Sequence, residues 1–457
     1  MTIQVVILAA GQGKRMHSSL PKVMHALAGK PLLKHVIDTA LAVAPGKKPV
    51  IVYGHQGQIL RDQLGEQDAS WVEQKEQLGT GHALLQAMPA VKDQDRVLVL
   101  YGDVPLISVN TLNKLIAATP AQGLGMITAR LPDPAGYGRI LRDAHNQIVG
   151  IVEEKDATET ERAITEINPG IYLLQGSHLK KWLPRLGNTN AQGEYYLTDV
   201  ITLAVNESIP VQAVQPAKTE EILGVNDRIQ LARLERFYQR EAAENLMRQG
   251  VTLLDPERVD IRGEVRIGRD VVIDVNVILE GRVVIGDRCL IGAHTILRDT
   301  TLGENVEIRP HSLIDGAQIA DECVIGPFAR VRPGTQLGGK VHIGNFVEVK
   351  KSRIAEGTKI NHLSYIGDSK IGRQVNIGAG TITCNYDGVN KHRTIIGDNA
   401  FIGSCTQLVA PVTVGARATI GAGSTIIHDA PPDKLTLSRA PQQTIDHWQR
   451  PLPESQK

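Results

Sequence analysis

Hydrophobic and polar positions follow two different rhythms along this chain, and the rhythm changes near residue 250. Up to about residue 226, short apolar runs alternate with longer amphipathic ones. The strand-like runs are "QVVILAA" (4–10), "PVIVYG" (49–54), "RVLVLYGD" (96–103), "GMITARL" (125–131) and "GIYLL" (170–174). Helical stretches such as "LLKHVIDTALAV" (32–43) and "GHALLQAM" (81–88) lie between them. This alternation predicts an α/β domain around a mostly parallel sheet. In such sheets ligands bind beyond the carboxyl ends of the strands.

From about residue 265 the apolar positions recur every six residues. Ile267, Ile273, Leu279, Ile285, Ile291 and Leu297 open the series. After small resets it runs on through Ile343, Val349, Ile360 and Ile377 to Thr383, and after a gap of 13 it resumes from Ile396 to Ile426. Of 27 such positions 26 are aliphatic, so chance is a poor explanation. A period of six fits neither an α-helix nor a hairpin. It predicts a parallel β-helix, with three hexads per coil, about nine coils, and the aliphatic side chains pointing inward. The 13-residue gap holds "CNYDGVNKHRT" and predicts a loop leaving the prism.

Between the two rhythms lies "NDRIQLARLERFYQREAAENLMRQG". Asp227 is a candidate N-cap, Gln230 completes a capping-box pattern and Gly250 is a natural stop. A helix of roughly 22 residues would span about 33 Å. The expected organisation is a domain over 1–226, a linker helix over 227–249 and a β-helix with its tail over 250–457.

Charge narrows the class. The 50 basic and 49 acidic residues leave a net charge of +1. No global field favours nucleic acid or an anionic membrane, so anionic ligands need local sites. No apolar run approaches the ~20 residues of a bilayer span, and strand-like sequence begins at once, without a secretory signal pattern. Cys289, Cys323, Cys384 and Cys405 are far apart and read as free thiols in a reducing compartment. The expected location is the cytoplasm.

Candidate chemistry sits at strand ends in the first half. In "LAAGQGKRM" (8–16) the glycines let backbone N–H groups approach an anion, and Lys14, Arg15 and Lys22 can neutralise phosphate. The loop lacks the pattern of a Walker A or a dinucleotide fingerprint. Asp103 ends the apolar strand of "VLVLYGDVPL", a suitable place for a hard-oxygen ligand to Mg²⁺. In the second half, Arg332 and Lys350 are 18 residues apart, one coil, and should stack so as to clamp one phosphate. His362 lies 12 residues further on, with Tyr365 close behind. A histidine in coil register with such a clamp is a candidate general base.

The ordered motifs "LAAGQGKRM", "LPKVMH", "EQLGTGHA", "LYGDVPL", "GYGRI" and "GVNDR" resemble those of sugar-nucleotide pyrophosphorylases. Joined to hexads, they resemble the bacterial bifunctional N-acetylglucosamine-1-phosphate uridyltransferase and glucosamine-1-phosphate N-acetyltransferase family, from Ile7 to about Trp448. The resemblance implies a Rossmann-like nucleotidyltransferase domain and a left-handed parallel β-helix of hexapeptide repeats. It implies that Leu8, Ala9, Ala10, Gly11, Arg15, Lys22, Gln74, Gly79, Thr80, Tyr101, Gly102 and Asp103 hold UTP. Asp103 and Asn226 would bind Mg²⁺, and Gly138, Glu153 and Asn168 would hold the sugar. Arg332, Lys350, Tyr365 and Asn376 would bind glucosamine 1-phosphate, with His362 as the base. Ala379, Asn385, Tyr386, Ser404, Ala422 and Arg439 would bind acetyl-CoA.

The implied activity makes UDP-N-acetylglucosamine, a precursor of peptidoglycan and lipopolysaccharide. Acetyl-CoA acetylates glucosamine 1-phosphate, and UTP then gives UMP to the N-acetylglucosamine 1-phosphate. The alternative is a nucleotidyltransferase whose β-helix only oligomerises. The resemblance also implies a homotrimer, with acetyl-transfer sites where subunits meet and the tail "DAPPDKLTLSRAPQQ" crossing between them. Neither nucleic acid nor membrane insertion is expected. Three positions depart from the family pattern: Lys14 and Pro169 stand where Thr is common, and Cys405 where Asp or another polar residue is frequent. Bulky thiol reagents at Cys384 or Cys405 are expected to block acetyl transfer alone.

Overall fold

The computed structural model describes residues 2–11, 13–54, 57–65, 68–451 and 453. The chain divides into two compact units, Met1–Tyr238 and Gln239–Lys457. The helix Arg228–Arg248 runs across that division. Asp227 caps it, its carboxylate accepting from the Gln230 N–H at 2.8 Å. The Gln230 side-chain Oε1 accepts from the N–H of Asn226, one residue earlier than a capping box requires, at 2.7 Å. Gly250 follows its end with φ +97°.

In the first unit a seven-stranded sheet has the order Val211–Val214, Leu124–Ile127, Tyr172–Gln175, Arg96–Tyr101, Ile3–Ala9, Val50–Tyr53, Ser70–Glu73. All neighbours are parallel except Tyr172–Gln175, which is antiparallel to both of its own. Ile3–Ala9 is flanked on both sides and almost wholly buried, as the unbroken apolar run Val5–Ala9 requires. Apolar clusters cover both sheet faces: Leu33, Val36 and Ile37 of helix Leu32–Val43 on one, Leu84, Trp182 and Ile201 on the other.

The apolar run 125–131 is not one strand. It changes sheets at Thr128: Leu124–Ile127 joins the large sheet and Ala129–Arg130 a small antiparallel one with Gly138–Arg142, Ile148–Val152 and Glu166–Asn168. The edge strands Ser70–Glu73 and Val211–Val214 carry no continuous apolar run, because each is only partly buried.

The second unit is a parallel β-helix. Its strands stack on themselves in register, Val272 on Leu290, Leu290 on Glu307 and Glu307 on Val324. One face is an eleven-stranded sheet, and the other two merge into a seventeen-stranded one through long strands that round a corner, Val259–Ile267 and Val277–Ile285. The hexad aliphatics form one continuous buried core; Ile267, near the first coil, is only partly covered. Thr383, the non-aliphatic position, is also fully buried. Its hydroxyl accepts from the Gly367 N–H at 2.8 Å, which satisfies a polar group inside an apolar prism. The predicted loop is present. Asn376 stacks on Phe401, 25 residues on, where other coils take 17 or 18.

Candidate active sites

In the first unit a cavity of about 490 Å³ opens at the carboxyl ends of Ile3–Ala9 and Arg96–Tyr101. Leu8, Ala9, Ala10, Gly11, Lys22, Gln74, Gly79, Thr80, Tyr101 and Asp103 all line it. A smaller cavity of about 200 Å³ shares Tyr101 and Asp103 and adds Arg15 and Asn226. Gly11 has open space where a side chain would be, so its backbone faces the cavity. Gly13 serves another purpose: it is left-handed (φ +61°), and a Cβ there would lie 2.6 Å from Lys22 Cβ. Gln12, between them, lies outside the described residues.

Where the two cavities meet, three polar side chains converge. The Lys22 ammonium donates to the Asp103 carboxylate and, at 3.1 Å, to the Asn226 side-chain carbonyl. The backbone supports this, with the Val225 N–H donating to the Asp103 carbonyl at 2.9 Å. Two hard oxygens from distant parts of the chain therefore already point at one cationic centre. That donor set suits Mg²⁺, which takes one or two protein oxygens and completes its shell with phosphates and water.

Gln74 is buried and donates to the Gly79 carbonyl at 3.1 Å. Gly79 needs φ +111° and leaves no room for a Cβ against Tyr195. Thr80 accepts from the Leu197 N–H at 3.1 Å. Burial pushes the Tyr101 phenol up, reinforced by the charges of Glu153 and Asp103, so it stays a neutral donor.

Glu153 lines a third cavity, of about 330 Å³, with Asp156, Thr198 and Asp199. Burial raises its carboxyl above the usual range, although Thr198 donates to it at 3.2 Å. Burial raises Asp199 as well. A pocket of carboxylates without a lining cation suits hydroxyl donors, not anions. Gly138 packs on this wall, where a Cβ would come within 2.9 Å of Ile151 Cγ2 and 3.4 Å of Glu153 Oε1. Two expected ligands sit differently. Gly102 is buried beneath the cavity against Ala9, Val23 and Leu33, and Asn168 is buried, accepting from the Gly170 N–H at 3.0 Å.

In the second unit, Arg332 and Lys350 occupy the same position on successive coils, since Val331 pairs with Val349. They are not a matched pair: the Arg332 guanidinium is on Glu348 at 2.7 Å. The cation facing Lys350 is Lys391, from the excursion loop. The Lys350 ammonium beside it holds Lys391 below the ordinary lysine range. Two facing cations form a local anion site.

Lys350 stacks under Gly367, where a Cβ would meet the Tyr365 hydroxyl at 2.6 Å and the Asn385 amide at 2.8 Å. The missing side chain makes room for both. Asn385 also donates to Asp368.

His362 ends the strand Lys359–His362 on the other sheet and flanks the corner at Leu363, with Tyr365 beyond it. Its Nδ1 lies 2.8 Å from Asn345 Oδ1, one coil back. An amide oxygen can only accept, so Nδ1 carries the proton and Nε2 is left with a free lone pair. Asn376 stacks on Lys359, on the sheet that carries His362, whereas Lys350 and Tyr365 belong to the other one.

Ala379, Ser404 and Ala422 form a column of turns. The Cys405 N–H donates to the Ala379 carbonyl at 2.7 Å and Gly423 N–H to Ser404 at 2.8 Å. Arg439 donates to the Ala422 carbonyl at 3.0 Å. Tyr386 is exposed and pairs across the excursion loop with Lys391.

Sequence reasoning missed Lys391 and Asn345. Lys391 lies where hexad register is lost. Asn345 is 17 residues before His362, a one-coil spacing that could have shown it.

These two units define a class: a nucleotidyltransferase joined to a hexapeptide-repeat acyltransferase. Residues 5–166 match the MobA-like NTP transferase domain, residues 261–345 the GMPPB C-terminal domain and residues 393–428 six repeats of the bacterial transferase hexapeptide. The chain is 56% identical to the bifunctional protein GlmU of Nitrosospira multiformis, covering 98% of each chain. It is 54% identical to that of Cupriavidus pinatubonensis and 55% to that of Ralstonia pickettii, over 100% of each chain. The chain belongs to the family of bifunctional GlmU proteins. It is an enzyme of UDP-N-acetylglucosamine synthesis, with a uridyltransferase unit and an acetyltransferase unit.

Proposed function

We propose that both reactions use the constellations described above. In the second unit the phosphate of glucosamine 1-phosphate lies among Lys350, Lys391 and Arg332. His362 Nε2 takes a proton from the sugar amine as the nitrogen attacks the thioester carbonyl of acetyl-CoA. The carbon–sulfur bond then breaks and CoA leaves as the thiol. Donors near Asn385 and Ser404 hold the oxyanion, and the Ala379–Ser404–Ala422 column with Arg439 holds CoA.

In the first unit Gln74, Gly79 and Thr80 receive the uracil, and the wall of Glu153 and Gly138 receives the sugar. The sugar phosphate attacks the α-phosphorus of UTP, and pyrophosphate leaves. The nucleophile is already an anion, so the task is positioning and charge neutralisation by Lys22 and Arg15. Asp103 and Asn226 would hold Mg²⁺, whose charge neutralises the phosphates when bound.

The chain also acts as a trimer in the cytoplasm, we infer. Phe328 and Phe346 stack with ring centroids 5.4 Å apart. With Leu363 they form a row 49 to 62% exposed beside His362, an apolar edge uncovered within one chain. No helix among the described residues is long and apolar enough to cross a membrane.

The observation that carries the reading is the convergence of Asp103 and Asn226 on Lys22 at the mouth of the cavity. The test is to incubate the purified chain with Mg²⁺, UTP, acetyl-CoA and glucosamine 1-phosphate, and in parallel with Mg²⁺, UTP and N-acetylglucosamine 1-phosphate. Mass spectrometry should find UDP-N-acetylglucosamine in both. Product only in the second would remove acetyl transfer from the proposal.

A further inference from the structure

The turn at residues 13–16 sends two neighbouring cations into two different cavities. Lys14 lines the 490 Å³ cavity with Gly11 and Lys22, while Arg15 lines the 200 Å³ one with Asp103 and Asn226. The turn is held in place. Met16 is buried and its N–H donates to the Gly13 carbonyl at 2.9 Å. Arg228 donates to the Met16 carbonyl at 3.2 Å.

Two lysines line the larger cavity. The Lys22 charge is committed to Asp103 and Asn226. Lys14 is exposed, and its side chain has no hydrogen bond or ion pair among the described residues. In-line displacement puts the nucleophile and the leaving group on opposite sides of the α-phosphorus. With the sugar at the Glu153 wall, which shares no lining residue with the 490 Å³ cavity, the leaving group falls to the glycine-rich turn.

We propose that Lys14 holds the leaving end of the nucleotide, the β- and γ-phosphates of UTP, and hence the pyrophosphate product. The proposal rests on the assignment of this cavity to UTP. Its consequence is selective. UDP-N-acetylglucosamine lacks those two phosphates, so Lys14 should contribute to binding UTP and pyrophosphate and not to binding the sugar nucleotide.

The test compares wild type with Lys14→Thr and Lys14→Arg. Binding of UTP, pyrophosphate and UDP-N-acetylglucosamine is measured by calorimetry, with KM values for the forward and reverse reactions. A lost charge-assisted contact should weaken UTP and pyrophosphate by about tenfold in Lys14→Thr. UDP-N-acetylglucosamine should be unchanged, and Lys14→Arg should retain most of the affinity. The difference should shrink as KCl is raised from about 50 mM to about 500 mM, as screening requires. Unchanged UTP and pyrophosphate affinity, or equal weakening of all three ligands, would overturn the role of Lys14. Wild type that binds neither UTP nor UDP-N-acetylglucosamine would instead overturn the assignment of the cavity.

Discussion

The two units meet the same problem, a phosphate ester, with different architecture. In the first, the proposed ligand site lies where strands stop: the Gly11 backbone, the Asp103 carboxylate and the Lys22 ammonium line a cavity beyond a buried sheet. In the second, strands do not stop at the site. Lys350 and Tyr365 project outward from the same turns of a prism whose inward positions are aliphatic. A layered fold offers one privileged edge, so its site is assembled from distant segments such as Lys22, Asp103 and Asn226. A prism offers many equivalent outward positions, and only stacking register makes some of them neighbours.

The largest effects should test whether the two sites are separate. Replacing His362 with alanine should cut acetyl transfer by about 10² to 10⁴ and leave uridylyl transfer near normal. Replacing Asp103 with alanine should do the reverse. Separate assays of the two half-reactions decide it, and cross-effects beyond about tenfold, less than the loss of one general base, would end the claim of independent sites.

Next in size is the Asn345 contact. Asn345→Asp places a carboxylate against Nδ1, which raises the His362 pKa. More of the base is then protonated at neutral pH, so the acidic limb of the kcat/KM profile for acetyl transfer should move to higher pH. Asn345→Ala should lower the rate by about tenfold, the scale of losing one orienting hydrogen bond, without that displacement. Identical profiles in all three proteins would remove the positioning role.

Thiol chemistry separates the units differently. Cys405 is exposed, with Cys384 partly covered, whereas Cys289 and Cys323 are buried. Burial pushes the Cys323 thiol up to about 11. A bulky maleimide should therefore label Cys405 first and inhibit acetyl transfer only. Equal loss of both activities would contradict this.

The smallest effect concerns Glu153. Its folded pKa is raised, mainly by burial. The folded state then binds its proton more tightly than the unfolded one, so stability is full below the unfolded value and is lost as pH rises through the folded value. Glu153→Gln should raise the melting temperature of the first unit slightly at pH 7 and less at pH 5, while slowing uridylyl transfer. Calorimetry at the two pH values checks the sign.

The amino-acid sequence alone determined both architectures, because periodicity reports which side chains must leave water. Strand Ile3–Ala9 and helix Leu32–Val43 follow from apolar runs and 3.6-residue spacing, and the prism follows from hexads. Motif resemblance supplied Asp103, Asn226 and His362. Tertiary structure decided what local pattern does not encode. The apolar run 125–131 changes sheets at Thr128, because its two halves pair with strands far along the chain. Arg332 is taken by Glu348, and Lys391 comes to Lys350 from a loop with no hexads. Asn345 fixes the His362 tautomer through a stacking register that the irregular 17- and 18-residue coils set only once folded. Inward positions are chosen by hydrophobicity, which sequence displays; outward partners are chosen by proximity, which only the stacked chain creates.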